Sequence, residues 1–170
     1  IHGHPAELDS ILAIAEKHNL TVIEDNAQSP MALYKGRLTG TVGHIGVLSL
    51  NYHKHIHTGE GGICLTNNSI LAERMQLIRN HAEAVVGGKG VEDLTNMIGF
   101  NFRLGEMEAA IGIEQLKRFS NNAIKRQKIA RLYDSYFKDI DVEVIHHNYE
   151  NVVPHIYVLQ LPDGVDRSLI

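Results

Sequence analysis

The chain has 170 residues, the size of one ordinary domain, and its 44% apolar content is enough for a core and argues against disorder. A formal net charge of -4, with no block of like charge, gives no electrostatic reason to expect nucleic acid or a membrane surface as partner. No apolar stretch approaches the roughly 20 residues that span a bilayer, and the one cysteine, Cys64, cannot close an internal disulfide, so a cytoplasmic, reducing setting with a buried, inert Cys64 is expected.

The first element is predicted in "HPAELDSILAIAEKHN". Pro5 suits a first helical turn, and Leu8, Ile11, Leu12 and Ala15 recur at helical spacing, with acids early and Lys17 and His18 late. "LTVIED" is a short apolar run with β-branched residues, read as a buried strand ending near Asp25. A polar, glycine-containing stretch, "SPMALYKGRLTGTVGH", leads to two further strands, "IGVLSLN" and "GGICLTN". "SILAERMQLIRNHAEA" predicts a helix with Ser69 as its N-cap, and "VVGGKGVEDLTNMIG" a glycine-rich loop. "LGEMEAAIGIEQLKRF" predicts a helix carrying Met107, Ala110, Ile111 and Ile113. A second, more polar helix is predicted from Ser120 to Lys138 with Ile124, Ile129, Leu132 and Tyr136 on one face. "VEVIHH" and "PHIYVLQLP" read as strands that open a smaller α+β unit. Helices alternating with short buried strands imply an α/β fold with a mostly parallel sheet, in which ligands sit at the carboxyl ends of strands. The chain starts without Met and reads as a piece of a longer one.

The chemistry concentrates in "NYHKHIHTGEGG". His53, His55 and His57 would share one face of a strand, and three imidazoles could then meet on a metal. Zinc sites draw mixed ligands from separate elements, however, and no second ligand cluster is evident, so no metal is expected. Lys54 lies just past a strand and before a glycine turn; in a desolvated cleft its amine can act as a nucleophile towards an aldehyde. Asp25 ends a strand and could hold a pyridinium nitrogen, or equally cap a turn. Gln28 could donate to a ring oxygen. Ser49, at a strand end, could bind a phosphate, although alone it suits a backbone-bonded serine as well.

Four ordered blocks, "VIEDNAQS", "YKGRLTGTVGHIGVLSLNYHKHIHTGEGGICLTN", "IRNHA" and "IGFNFRLGEMEAAIGIEQL", resemble the motifs of the DegT/DnrJ/StrS family, and the match runs from "HGHP" to "HIYVLQLP". These are pyridoxal-phosphate-dependent sugar aminotransferases of fold type I. The resemblance implies that residues 1–118 belong to an αβα large domain and that 119–170 form a linking helix and the start of a small α+β domain, with the family's N-terminal part absent. It implies that Lys54 is the lysine that holds pyridoxal 5'-phosphate covalently and moves the proton. Asp25 is similar to the carboxylate on the pyridinium nitrogen, Gln28 to the side chain near the ring's 3-oxygen, and Ser49 to the phosphate-binding serine. Asn101, in "GFNFR", resembles the asparagine that reaches a partner's cofactor phosphate across a homodimer interface.

The implied reaction moves an amino group from an amino-acid donor, usually L-glutamate, to a nucleotide-linked ketosugar for amino-sugar and cell-surface polysaccharide biosynthesis. Family members with histidine in place of the lysine act as dehydratases; counting back from Gly59 gives Lys54, which favours transfer. A regulatory relative that keeps only the fold is the other alternative, and the retention of Asp25, Ser49 and Lys54 argues against it. The segment that would bring a helix N-terminus to the cofactor phosphate is absent. Made alone, the chain is therefore expected to bind pyridoxal phosphate weakly or not at all; an absorbance titration giving a stoichiometric, micromolar complex would overturn that.

Overall fold

A buried carboxylate organises the first half of the chain. The computed structural model describes residues 1–83, 97–145 and 147–169. Strand β1 (Ile23–Asp25) is not buried throughout as expected: Glu24 is buried while Ile23 and Asp25 are exposed. A buried carboxylate needs partners. Glu24 accepts backbone N–H groups from Gly40 (2.7 Å), Val42 (2.8 Å) and Gly43 (2.5 Å), so it pins the loop that precedes β4. That loop lies flat on β4 (Ile45–Ser49). A Cβ on Gly46 would come within 2.1 Å of the Gly40 carbonyl oxygen, so only glycine fits there.

β1 pairs in parallel with β4, with Asp25 opposite Val47, and β4 pairs antiparallel with β5 (Gly62–Leu65), giving the order β1-β4-β5. The sheet is thus mixed rather than mostly parallel. The loop from 50 to 61 contains no helix to carry the chain back across the sheet, so β5 returns antiparallel. Cys64 is exposed, not buried, because β5 has no strand beyond it among the described residues. The polar stretch before β4 forms a hairpin that the sequence reading missed: β2 (Leu33–Tyr34) and β3 (Arg37–Leu38) are joined through Lys35 and Gly36, both at positive φ. Such a two-residue turn matches the twist of a hairpin. Asp9 accepts from Lys35 (2.5 Å) and Arg37 (3.0 Å), and the Tyr34 hydroxyl accepts from the Asp9 N–H (3.1 Å), tying this hairpin to α1 (Leu8–Lys17). α1 begins after Pro5 rather than at it, and buries Leu8 and Ala15 while Ile11 is exposed.

Helix α2 (Ser69–Arg79) is capped by Asn68, whose side chain accepts from the N–H groups of Ile70 and Leu71; Ser69 is its first helical residue and not the cap. The glycine-rich "VVGGKGVEDLTNMIG" lies almost wholly outside the described residues. The two predicted C-terminal helices are one, α3 (Glu106–Phe137), so the expected division at 118/119 falls inside it. The expected boundary between them, after Phe119, is followed by "SNN" at 120–122, which contains neither Gly nor Pro, and Ser and Asn cost a helix only about 0.5 kcal/mol each relative to Ala.

The buried stripe of α3 is Phe119, Ala123 and Ala130, whereas Ile124, Ile129, Leu132 and Tyr136 are exposed. The faces differ from expectation because polar anchors share the buried stripe. Gln127 donates to the carbonyls of Tyr149 (2.7 Å) and Val152 (3.0 Å), and Arg126 donates to that of His155 (3.1 Å). Asp134 accepts from the hydroxyls of Tyr149 (2.6 Å) and Tyr157 (2.8 Å), and burial together with that carboxylate raises both phenols above their usual range. Phe119, Ala123 and Val153 then form a small core with Ile56. Beyond α3, the predicted strands shorten to β6 (Glu143–Val144) and β7 (Leu159–Gln160), paired antiparallel, and a 3-10 turn follows at Arg167–Leu169.

Removing the Glu24 carboxylate strands three backbone donors. Glu24→Ala is expected to lower unfolding stability by about 2–3 kcal/mol in urea titrations, and Glu24→Gln, which keeps one acceptor, by less.

Candidate active site

The site gathers at the carboxyl ends of the parallel pair β1 and β4. Asp25 closes β1; one carboxylate oxygen accepts the Ala27 N–H (3.0 Å), leaving the other exposed for a ligand. Ser49 closes β4; its oxygen accepts the Asn51 N–H (3.3 Å), leaving the hydroxyl hydrogen to donate. Gln28 accepts the His2 N–H at Oε1 (2.9 Å), so its amide hydrogens remain for an oxygen ligand. A carboxylate, a hydroxyl donor and an amide donor are thus available around two adjacent strand ends.

Asn51 starts a self-tied loop. It receives N–H groups from His53 (3.1 Å, at its side chain) and Lys54 (2.8 Å, at its carbonyl), and donates to Glu60 (2.8 Å). Thr58 closes the loop through the Leu50 and Glu60 carbonyls, and Gly59 supplies a φ of 92° for the turn. Lys54 is half-buried and lines a cavity of about 620 Å³ with His53, His57, Lys125, Arg126 and His155. Asp25 lines a separate cavity of about 150 Å³ beside Glu24 and Asn26. The chain therefore joins Asp25 and Ser49 through the sheet and leaves Lys54 in its own cavity. Asn101 stands apart, exposed, at an isolated bridge with Asn80 just before α3.

The three histidines of the motif line one cavity but hold different partners, because residues 51–58 form turns and bends rather than a strand. His53 packs at a tilt against Tyr52 (3.8 Å between ring centres), and His57 meets Gln115 (3.3 Å). His55 is buried and its Nε2 donates to the Pro154 carbonyl (3.0 Å). Among the described residues, no group of three or more His, Cys, Asp or Glu is placed to share a metal ion.

Burial drives the His55 imidazole down to about 4, with the Arg126 charge adding to the effect and the Pro154 bond opposing it. His155 is also lowered, first by burial and then by the charges of Lys54 and Arg126. His155 and Arg126 were missed in the sequence. The available signal was a histidine inside the otherwise apolar "VVPHIYVL".

A family model, "DegT/DnrJ/EryC1/StrS aminotransferase family", matches residues 1–168. The chain belongs to this family. A DegT relative, the GDP-perosamine synthase of Caulobacter vibrioides, is 31% identical over 99% of the chain and 45% of its own length. A DegT/DnrJ/EryC1/StrS aminotransferase from Brucella abortus superposes with a TM-score of 0.83 at 31% identity, covering 96% of this chain and 43% of that one. The E. coli GDP-4-keto-6-deoxy-D-mannose-3-dehydratase, solved with bound hydrated PLP, gives 0.78 at 25% identity, covering 99% and 47%. The chain thus spans less than half the length of these relatives, and within that length it carries the fold type I α/β architecture. The family's cofactor is pyridoxal phosphate. The chemistry available near the two strand ends, a carboxylate, an amide donor and a hydroxyl donor, is compatible with such a group. No helix among the described residues is long and apolar enough to cross a membrane.

The lowered His55 has a definite pH signature. The folded state keeps it neutral while the unfolded chain protonates below about 6.5, so its contribution is complete above that pH and is lost as pH falls towards 4. Urea unfolding between pH 7 and pH 4 is expected to lose up to ~1.4 kcal/mol per pH unit from this group. His55→Gln, which keeps a donor for Pro154, should flatten that slope by one proton's worth.

Proposed function

We propose that the protein carrying this chain is a pyridoxal-phosphate-dependent aminotransferase that moves an amino group, from L-glutamate, to a nucleotide-linked ketosugar for amino-sugar and cell-surface polysaccharide biosynthesis. The observation that carries the reading is the retained amine of Lys54, half-buried in an open cavity, in the loop that leaves the strand ending at Ser49. The name of the Caulobacter relative supports a nucleotide-sugar acceptor.

Bound pyridoxal phosphate would supply an aldehyde for covalent capture of amines and a ring that withdraws electrons from the bond being broken. Lys54 then has two tasks. Its amine would hold the cofactor covalently and, when free, would take and return the proton of the donor's α-carbon. Asp25 holds the ring nitrogen protonated through a charge-assisted hydrogen bond. Gln28 donates to the ring oxygen, and Ser49 donates to the phosphate. Asn101 serves the second site of a homodimer, which agrees with its exposure. Residues 1–118 contribute to the cofactor-binding domain and the remainder leads into a smaller one.

A dehydratase reading has the E. coli structural neighbour in its favour, but Lys54 supports transfer. The test is the visible spectrum of the full-length protein. Glutamate should abolish the absorbance band of the lysine-bound cofactor and release 2-oxoglutarate, and a ketosugar should restore the band. Lys54→Ala should lower turnover by at least ~10³-fold, and Asp25→Asn by ~10²-fold or more, with the fold retained. Full biological activity of Lys54→Ala would instead identify a regulator.

A further inference from the structure

We infer that Lys125 and Arg126 of α3 form the grip for the diphosphate of the nucleotide-linked acceptor, an anion station separate from the one Ser49 offers to the cofactor. This assignment rests on the proposed reaction for its substrate and on the cavity for its chemistry. Lys54, Lys125 and Arg126 line this cavity, and no aspartate or glutamate does. In a chain with 20 acids against 16 lysines and arginines, an acid-free wall bearing three cations is a local reversal of the net charge. Such a wall concentrates anions.

Two of the imidazoles in the wall, His55 and His155, are held towards the neutral form by burial, and Lys54 is taken up by the cofactor in the proposed reaction, so the anion-binding charge assigned here is that of Lys125 and Arg126. Arg126 is also pre-set. Its Nη1 donates to the His155 carbonyl (3.1 Å) and reaches Pro154 (3.5 Å), which fixes the guanidinium plane and leaves its other donors to an oxyanion. Lys125 is the adjacent helical residue, exposed, and it lines the same cavity. A volume of about 620 Å³ suits a ligand of nucleotide-sugar size, and the rings of Tyr133 and Tyr157 share the wall. Ser49 does not line this cavity, so the cofactor phosphate and the substrate diphosphate need not compete.

The shared chemistry is a multiply charged oxyanion, which a dicarboxylate donor also carries, so the experiment separates the two. Full-length protein loaded with pyridoxal phosphate is titrated calorimetrically with inorganic pyrophosphate, with UDP and GDP, and with L-glutamate. The variants are Lys125→Gln and, as control, Lys117→Gln, whose lysine pairs with Glu114 outside the cavity. Pyrophosphate and nucleoside diphosphates should bind about tenfold more weakly to Lys125→Gln, as expected for loss of one charge-assisted bond, and normally to Lys117→Gln. The glutamate-driven loss of the cofactor band should be unchanged. Equal pyrophosphate affinity in parent and Lys125→Gln overturns the assignment, as does a defect confined to glutamate. A parent that binds pyrophosphate through Lys125 yet shows no response to glutamate keeps the anion station and rejects the transfer reaction instead.

Discussion

The parallel ladder between β1 and β4 is the constraint on which the rest of the molecule depends. Side chains at a strand's carboxyl end can act together only if the strands are in register, and here Asp25 lies opposite Val47 with Ser49 two residues further along. The ladder is only three residue pairs long, too short to hold by backbone bonds alone. Glu24 secures it from the side, because the carboxylate that sits in β1 also binds the loop leading into β4. Gly46 completes the arrangement by letting that loop rest on the strand. One acid and one glycine thus fix where the neighbouring aspartate can act.

The second half of the chain solves a different problem. The segment from Tyr149 to Tyr157 has almost no regular structure of its own, yet it carries His155 to the side of Lys54. Its carbonyls and hydroxyls are satisfied by α3, through Gln127, Arg126 and Asp134. Irregular backbone can be this well placed because its polar groups have partners on a rigid element. His55 adds the complementary tie from the lysine loop, so the amine's immediate neighbours are bonded to the same segment that α3 holds.

Local chemistry was legible in the sequence, and long-range burial was less so. The strand ends at Asp25 and Ser49 follow from β-branched runs that stop at polar residues, and the turn after Lys54 follows from its glycines. The sheet's mixed sense was not legible, because the loop between β4 and β5 reads by composition like any connection. Cys64 and the isoleucines of α3 look like core in sequence, but burial depends on which neighbours cover a face, and within this chain those faces are open. Conversely Glu24 looks like a surface residue until the loop that wraps it is known. Lys125 and Arg126 sit side by side on α3, but Lys54 and His155 lie far from them in sequence, and no spacing rule connects the three segments.

Helix α3 has 32 residues, about 48 Å from end to end, without a proline or an interruption. A rod of that length transmits rotation without absorbing it. Tilting its first turn, where Met107 is bare, must swing the turn that bears Arg126 and everything that Arg126 and Gln127 hold. The docking of its first turn and the shape of the pocket along its middle are therefore mechanically linked.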